Sequence, residues 1–112
     1  MKGSDAEQMA AAYLLRQGLV LKARNYRCRF GEIDLIMSEG KQLVFIEVRM
    51  RASDVFGGAA GSITAAKQTR LLRAARHYLS GLGSMPACRF DAVLITGVRN
   101  PVIQWIKNAF GE

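Results

Sequence analysis

The chain has 112 residues, half of them hydrophobic and 22% charged, enough for one domain (residues 1–112) that buries about two-thirds of its unfolded surface. Sixteen Lys and Arg against nine Asp and Glu leave a net charge of +7, a balance that favours polyanions: DNA, RNA or an anionic membrane surface. No apolar run approaches the length of a membrane span, Met1–Glu7 lacks the apolar core of a signal peptide, and Cys28 and Cys88 have no paired spacing. The expectation is a cytoplasmic protein with reduced thiols, no membrane partner, no zinc knuckle and no disulfide framework.

Ser4 and Glu7 stand at capping-box spacing, which predicts a helix running to about Gln17 and stopping at Gly18. Ala6, Met9, Ala10, Tyr13 and Leu14 make its buried stripe. Three strands follow, over Leu19 to Tyr26, Glu32 to Ser38 and Leu43 to Met50. In the second, Ile33, Leu35 and Met37 face away from Asp34. The third is apolar on both faces and reads as a central, covered strand. Ala52 to Gly61 is a Gly-rich loop, and Ser62 is the expected cap of a helix reaching about Leu79. Leu71, Leu72, Ala75, Tyr78 and Leu79 form that helix's stripe, and Lys67, Arg70, Arg73 and Arg76 spread over its remaining surface. Arg89 to Thr96 is a fourth strand; Val102 to Ile106 is a fifth, closed by a turn over Lys107 to Phe110. The order αβββαββ predicts an α/β fold with a mixed central sheet flanked by helices.

The chemistry concentrates in one hairpin. Gly31-Glu32-Ile33-Asp34 is followed, thirteen positions past Asp34, by Glu47-Val48-Arg49. A two-residue loop at Glu39-Gly40 or at Gly40-Lys41 puts Asp34 and Glu47 on one face, opposite or diagonal, about 4.5–8 Å apart. Two carboxylates that close repel unless a proton or cation lies between them. Mg²⁺ and Mn²⁺ are the natural candidates, because hard cations take carboxylates together with water and phosphate oxygens. Asp is disfavoured in mid-strand and an unpartnered buried Glu is costly, so both residues ask for a functional explanation; an Asp–Arg structural pair is the alternative. At Glu7 the capping box by itself explains an acid. Arg24, Arg27 and Arg29 precede the acidic strand and Arg49 and Arg51 follow Glu47. Together they suggest a phosphate-binding rim, with Tyr26 and Phe30 available to stack on exposed bases. Gly57–Ser62 lacks the spacing of a phosphate-binding P-loop. With His77 the only histidine and no nucleophile motif, Ser or Cys hydrolase chemistry is set aside.

Several segments carry a resemblance: Asn25-Tyr26-Arg27-Cys28-Arg29-Phe30-Gly31-Glu32-Ile33-Asp34-Leu35-Ile36, Phe45-Ile46-Glu47-Val48-Arg49, Phe56-Gly57, Ala66-Lys67-Gln68, Arg89-Phe90-Asp91 and Trp105-Ile106-Lys107-Asn108-Ala109-Phe110. Over nearly its whole length the chain resembles the YraN-like family of small bacterial proteins, whose fold looks like the restriction-endonuclease-like PD-(D/E)XK nucleases, the Holliday-junction resolvases among them. The resemblance implies Asp34 and Glu47 as metal ligands and Glu7 as an additional acid from the first helix. It sets Arg49 where the superfamily usually has its lysine, and Gln68 where some branches place a polar helper. Arg24, Arg27, Arg29, Arg51, Lys67 and Arg70 are then the expected nucleic-acid contacts. The implied function is Mg²⁺- or Mn²⁺-dependent cleavage of structured or branched DNA, with a homodimer expected because resolvases cut two strands symmetrically. Arginine cannot act as a base at any working pH. A nucleic-acid-binding module of the same fold without hydrolysis is therefore the second reading, and a structural role for the acidic hairpin the third.

Overall fold

A computed structural model describes residues 3–51, 63–97 and 99–111. Helix Gly3–Arg16 (α1) is followed by strands Val20–Cys28 (β1), Gly31–Glu39 (β2) and Gln42–Arg51 (β3). Helix Ala65–Ser80 (α2) and strands Cys88–Thr96 (β4) and Val102–Phe110 (β5) complete the chain. The strands lie in sequence order in one sheet, with β3 and β4 parallel and every other neighbouring pair antiparallel. Parallel neighbours need a crossover, and α2 is carried by the segment that makes it.

Each helix covers its own face of the sheet. Ala6, Ala10, Ala11 and Leu14 of α1 pack with Leu35, Met37, Val44, Ile46, Val93 and Ile95. Leu71, Ala74, Ala75 and Leu79 of α2 pack with Ile33, Ile36, Leu43, Phe45, Ala92 and Leu94. The central strands are buried on both faces, as their near-continuous apolar runs require. Ile33 corrects the expected alternation: it joins the α2 side while Leu35 and Met37 face α1. The break falls at Asp34, beside the left-handed Asn25 (φ 51°) of the neighbouring strand.

The ends of the elements show which local signals held. α1 closes with a Schellman motif: Gly18 N–H donates to Leu15 O at 3.1 Å and Leu19 N–H to Leu14 O at 3.1 Å. Gly18 adopts φ 97°, a conformation costly for any residue with a Cβ. At the other end Ser4 is already helical, one residue inside the first turn, so it does not stand at the expected cap position. The loop expected over residues 52–61 and the cap expected at Ser62 lie outside the described residues. The cap of α2 is Thr64, whose side chain accepts from Lys67 N at 3.1 Å. Within α2, Ala74 is buried although only Ala75 was expected, and Leu72 and Tyr78 are half-buried.

β5 runs four residues past its expected end. Its register against β4 shifts between the Ala92–Ile106 and Phe90–Phe110 pairs, with Asn108 at φ 52°. An Asn in a polar run looks like a turn in the sequence. Here it is a bulge that turns Asn108 N–H onto Asp91 Oδ1 at 3.0 Å.

Candidate functional site

Of the two loops allowed by the sequence, the hairpin uses Gly40-Lys41, since Glu39 pairs with Gln42. The paired register ends at Leu35–Ile46, and one further residue on each strand sets Asp34 against Glu47. Past that point Val48 N–H donates to Asp34 Oδ2 at 2.8 Å instead of continuing the ladder. The two carboxyls sit at the end of the hairpin, 8% and 3% exposed.

Asp34 lies in the middle of a row of three acids. It is within hydrogen-bonding reach of Glu47 on one side and of Glu7, from α1, on the other. Burial above all, and then the neighbouring Glu47, pushes the Asp34 carboxyl up to about 7. Glu7 is also raised, by burial first and then by Asp34. Asn25, with its amide turned to donate, reaches both Glu7 oxygens at 2.9 and 3.1 Å. This Asn was not singled out in the sequence, although a lone Asn inside a strand is the residue type that tolerates φ 51°. Glu7 thus meets Asn25 and Asp34 on the sheet.

The cations divide differently from expectation. Lys67, expected only as a surface contact for nucleic acid, reaches in from the first turn of α2 and sets Nζ 3.1 Å from Glu47 Oε2. Glu47 Oε2 is otherwise buried without a hydrogen bond. Arg49 is half-buried two residues along β3, on the same side of the strand as Glu47 by alternation, and pairs across the sheet with Leu94. Gln68 turns away: its Nε2 donates to Ile63 O at 3.0 Å and so holds the entry to α2. Arg27 pairs at the surface with Glu32 (3.0 Å), and the Arg29 guanidinium lies 4.7 Å over the Phe30 ring. Arg70 is exposed beside Gly31 and Glu32, Arg24 is exposed on β1, and Arg51 is half-buried at the end of β3.

A second buried acid shows what a structural carboxylate looks like in this fold. Asp91, fully buried, accepts from Arg89 Nε (2.9 Å) and Nη2 (3.0 Å), from Trp105 Nε1 (2.8 Å) and from Asn108 N (3.0 Å). Its lone pairs are taken by donors. Asp34 and Glu47 instead face each other, with one backbone N–H and one ammonium between them. A carboxylate pair so short of donors is suited to hold a proton or a hard cation. Among the described residues, no three His, Cys, Asp or Glu side chains converge as a ready-made metal cluster. The donor set nevertheless fits Mg²⁺ or Mn²⁺: all-oxygen, anionic, and supplied by opposed strands.

Residues 6–95 match the uncharacterised protein family UPF0102. The chain belongs to the UPF0102 family. A UPF0102 protein of Nitrosomonas europaea is 68% identical over 111 residues, covering 99% of this chain and 94% of its own. One from Nitrosospira multiformis is 58% identical over 110 residues, covering 98% and 92%. One from Cupriavidus metallidurans is 54% identical over 110 residues, covering 97% and 80%. The family assignment agrees with the YraN-like resemblance, and the segment matched contains Glu7, Asp34, Glu47, Arg49 and Lys67. No described helix of this UPF0102 chain is long and apolar enough to cross a membrane.

Proposed function

We propose that this UPF0102 protein is a divalent-metal-dependent nuclease acting on structured or branched DNA, its metal held by Asp34 and Glu47 with Glu7 beside them. One observation carries the reading: two opposed, buried carboxylates with a single backbone N–H and a single ammonium as donors, and with the Asp34 carboxyl raised by burial and by Glu47. A bound Mg²⁺ or Mn²⁺ would lower the pKa of water and polarise a phosphate oxygen. The chain's own groups bind and orient. Val48 N–H fixes the Asp34 carboxylate, Lys67 holds Glu47 in the absence of metal, and Arg49 neutralises charge developing on the phosphate. Cleavage of both strands of a symmetric junction needs two such centres, so the reading carries a homodimer on its DNA. The UPF0102 name leaves the chemistry open, and the test is cleavage of duplex, single-stranded, flap and four-way-junction DNA with Mg²⁺ and Mn²⁺, with Asp34→Asn as the control.

The second reading, a nucleic-acid-binding module without hydrolysis, is favoured by Arg49 itself. A guanidinium neutralises phosphate but moves no proton. Wild-type cleavage is therefore expected to be weak and stronger with Mn²⁺ than with Mg²⁺. Arg49→Lys should hold or raise the rate, whereas Arg49→Ala should lower it by roughly a hundredfold and weaken binding as well. If wild type and Arg49→Lys bind the junctions but leave them uncut, hydrolysis is rejected and the binding module stands.

Binding itself should be largely electrostatic, given the net charge of +7. Affinity is expected to fall steeply as salt rises and to vary little with base sequence, because counterion release carries most of it. Titrations at several salt concentrations check this; a flat salt profile contradicts it.

A further inference from the structure

A cleft of about 180 Å³ opens between the β1–β2 turn and α2, lined by Gly31, Glu32, Lys67, Arg70 and Leu71. The backbone makes room for it. Gly31 adopts φ 147°, and a Cβ there would stand 3.4 Å from Arg70 Cβ, so a larger residue would be strained and pressed against the wall. Lys67 belongs to two places at once: it lines the cleft and it touches Glu47 at 3.1 Å. Lys67 therefore joins the cleft to Glu47 of the acidic pair.

An aromatic group stands beside the cleft. Phe30, next to Gly31, carries the Arg29 guanidinium 4.7 Å over its ring and meets His77 edge-on with centroids 5.9 Å apart. Tyr26 hydrogen-bonds His77 Nδ1 and packs edge-on against Tyr78, 5.2 Å between centroids. From Lys67 to His77 is ten residues of α2, about 15 Å along the helix axis. Lys67 and Arg70 line the cleft, and Arg29 stands over Phe30 beside it. Glu32 is the one acid among the lining residues, and Arg27 pairs with it at 3.0 Å.

We propose that this cleft receives one unpaired nucleic-acid strand, its phosphates on Lys67 and Arg70 and a base against Phe30 and Arg29, so that the strand's backbone leads to Asp34 and Glu47. Two features select a single strand over a duplex. The space between turn and helix suits a chain far narrower than a double helix. Aromatic and guanidinium faces serve unpaired bases, whose π-surfaces are hidden in a stacked duplex. The proposal rests on the nucleic-acid reading above but not on hydrolysis.

The test is fluorescence anisotropy in EDTA, where no metal-dependent cleavage occurs, with a single-stranded oligonucleotide, the blunt duplex of the same sequence and a duplex with a single-stranded arm. The two substrates with unpaired strand are expected to bind about tenfold tighter than the blunt duplex. Phe30→Ala should cost about tenfold on those two and leave the blunt duplex unchanged. Arg70→Gln should lower the salt slope for the single strand by about one. Arg29→Gln, at an exposed position, repeats the Phe30 experiment should that variant fold poorly. Equal affinity for single strand and duplex, or equal losses on both in these variants, overturns the cleft. Preserved discrimination with no cleavage under any metal overturns only the nuclease reading.

Discussion

Asp91→Ala is expected to destabilise the fold by about 3–5 kcal/mol, a large part of the roughly 5–15 kcal/mol available to a domain of this size. Asp91 joins two strands: Arg89 and itself on β4, and Trp105 and the bulge at Asn108 on β5. Removing the carboxylate leaves the Trp105 and Asn108 N–H groups without their acceptor. It also leaves a guanidinium only 9% exposed with one arm still on Glu39 (3.0 Å) and Gln42 (3.0 Å). The Asp91 bonds are the main reason that the Arg89 pKa lies above its usual value, so the charge persists after its partner is lost. Urea unfolding should show the midpoint lowered by about 2 M, taking a slope near 2 kcal/mol per M. Arg27→Ala is the comparison: its ion pair with Glu32 is well exposed on both sides and should matter by less than about 0.5 kcal/mol. A small loss for Asp91→Ala would mean that the network is not the anchor of the β4–β5 edge.

Asp34→Asn is expected to do the opposite to stability while removing metal binding. Folding raises the Asp34 pKa from an ordinary 3.8 to about 7, so the folded chain holds a proton that the unfolded chain releases. Stability from this group is therefore full below about pH 4, falls as pH rises through 7, and is flat above that. At about 1.4 kcal/mol per pKa unit, the wild type should lose on the order of 4 kcal/mol across that window. Asp34→Asn should lack this loss and melt roughly 10 °C above wild type at pH 8. Mg²⁺ or Mn²⁺ at a hundred times its Kd should restore about 2.7 kcal/mol to the wild type and nothing to the variant. Thermal melts at several pH values, with and without metal, read both effects together. A metal-induced rise that survives in Asp34→Asn and in Glu47→Gln would place the metal elsewhere, and a wild type flat from pH 4 to 8 would mean that burial and Glu47 do not raise the Asp34 carboxyl.

These two acids also show where reading along the chain stops. Strand lengths, a two-residue turn at Glu39-Gly40 or Gly40-Lys41 and the alternation of Val44, Ile46 and Val48 put Asp34 and Glu47 on one face before any tertiary contact is known. Periodicity likewise marks both helices and the covered central strands, because those patterns follow from local geometry and burial. The same local rules mislead at Asn108, where a turn-forming residue makes a bulge, and at Ile33, where the strand changes face. In each case a distant partner decides: Asp91 for Asn108, and the α2 core for Ile33.

The sequence by itself determined the element order, the paired acids, the basic charge and the family pattern, all of which are written in spacing and composition. Only the tertiary structure decided which cation meets which acid. Lys67, twenty positions beyond Glu47, reaches it because α2 lies across the β3 face, while Gln68 beside it in sequence points to Ile63 O. Only packing distinguished Asp91, surrounded by donors, from Asp34, left facing another carboxylate. Hydrogen-bond partners brought in from other strands and helices leave no mark at the residue's own position in the chain, and that is why two buried aspartates alike in sequence meet such different partners in the fold.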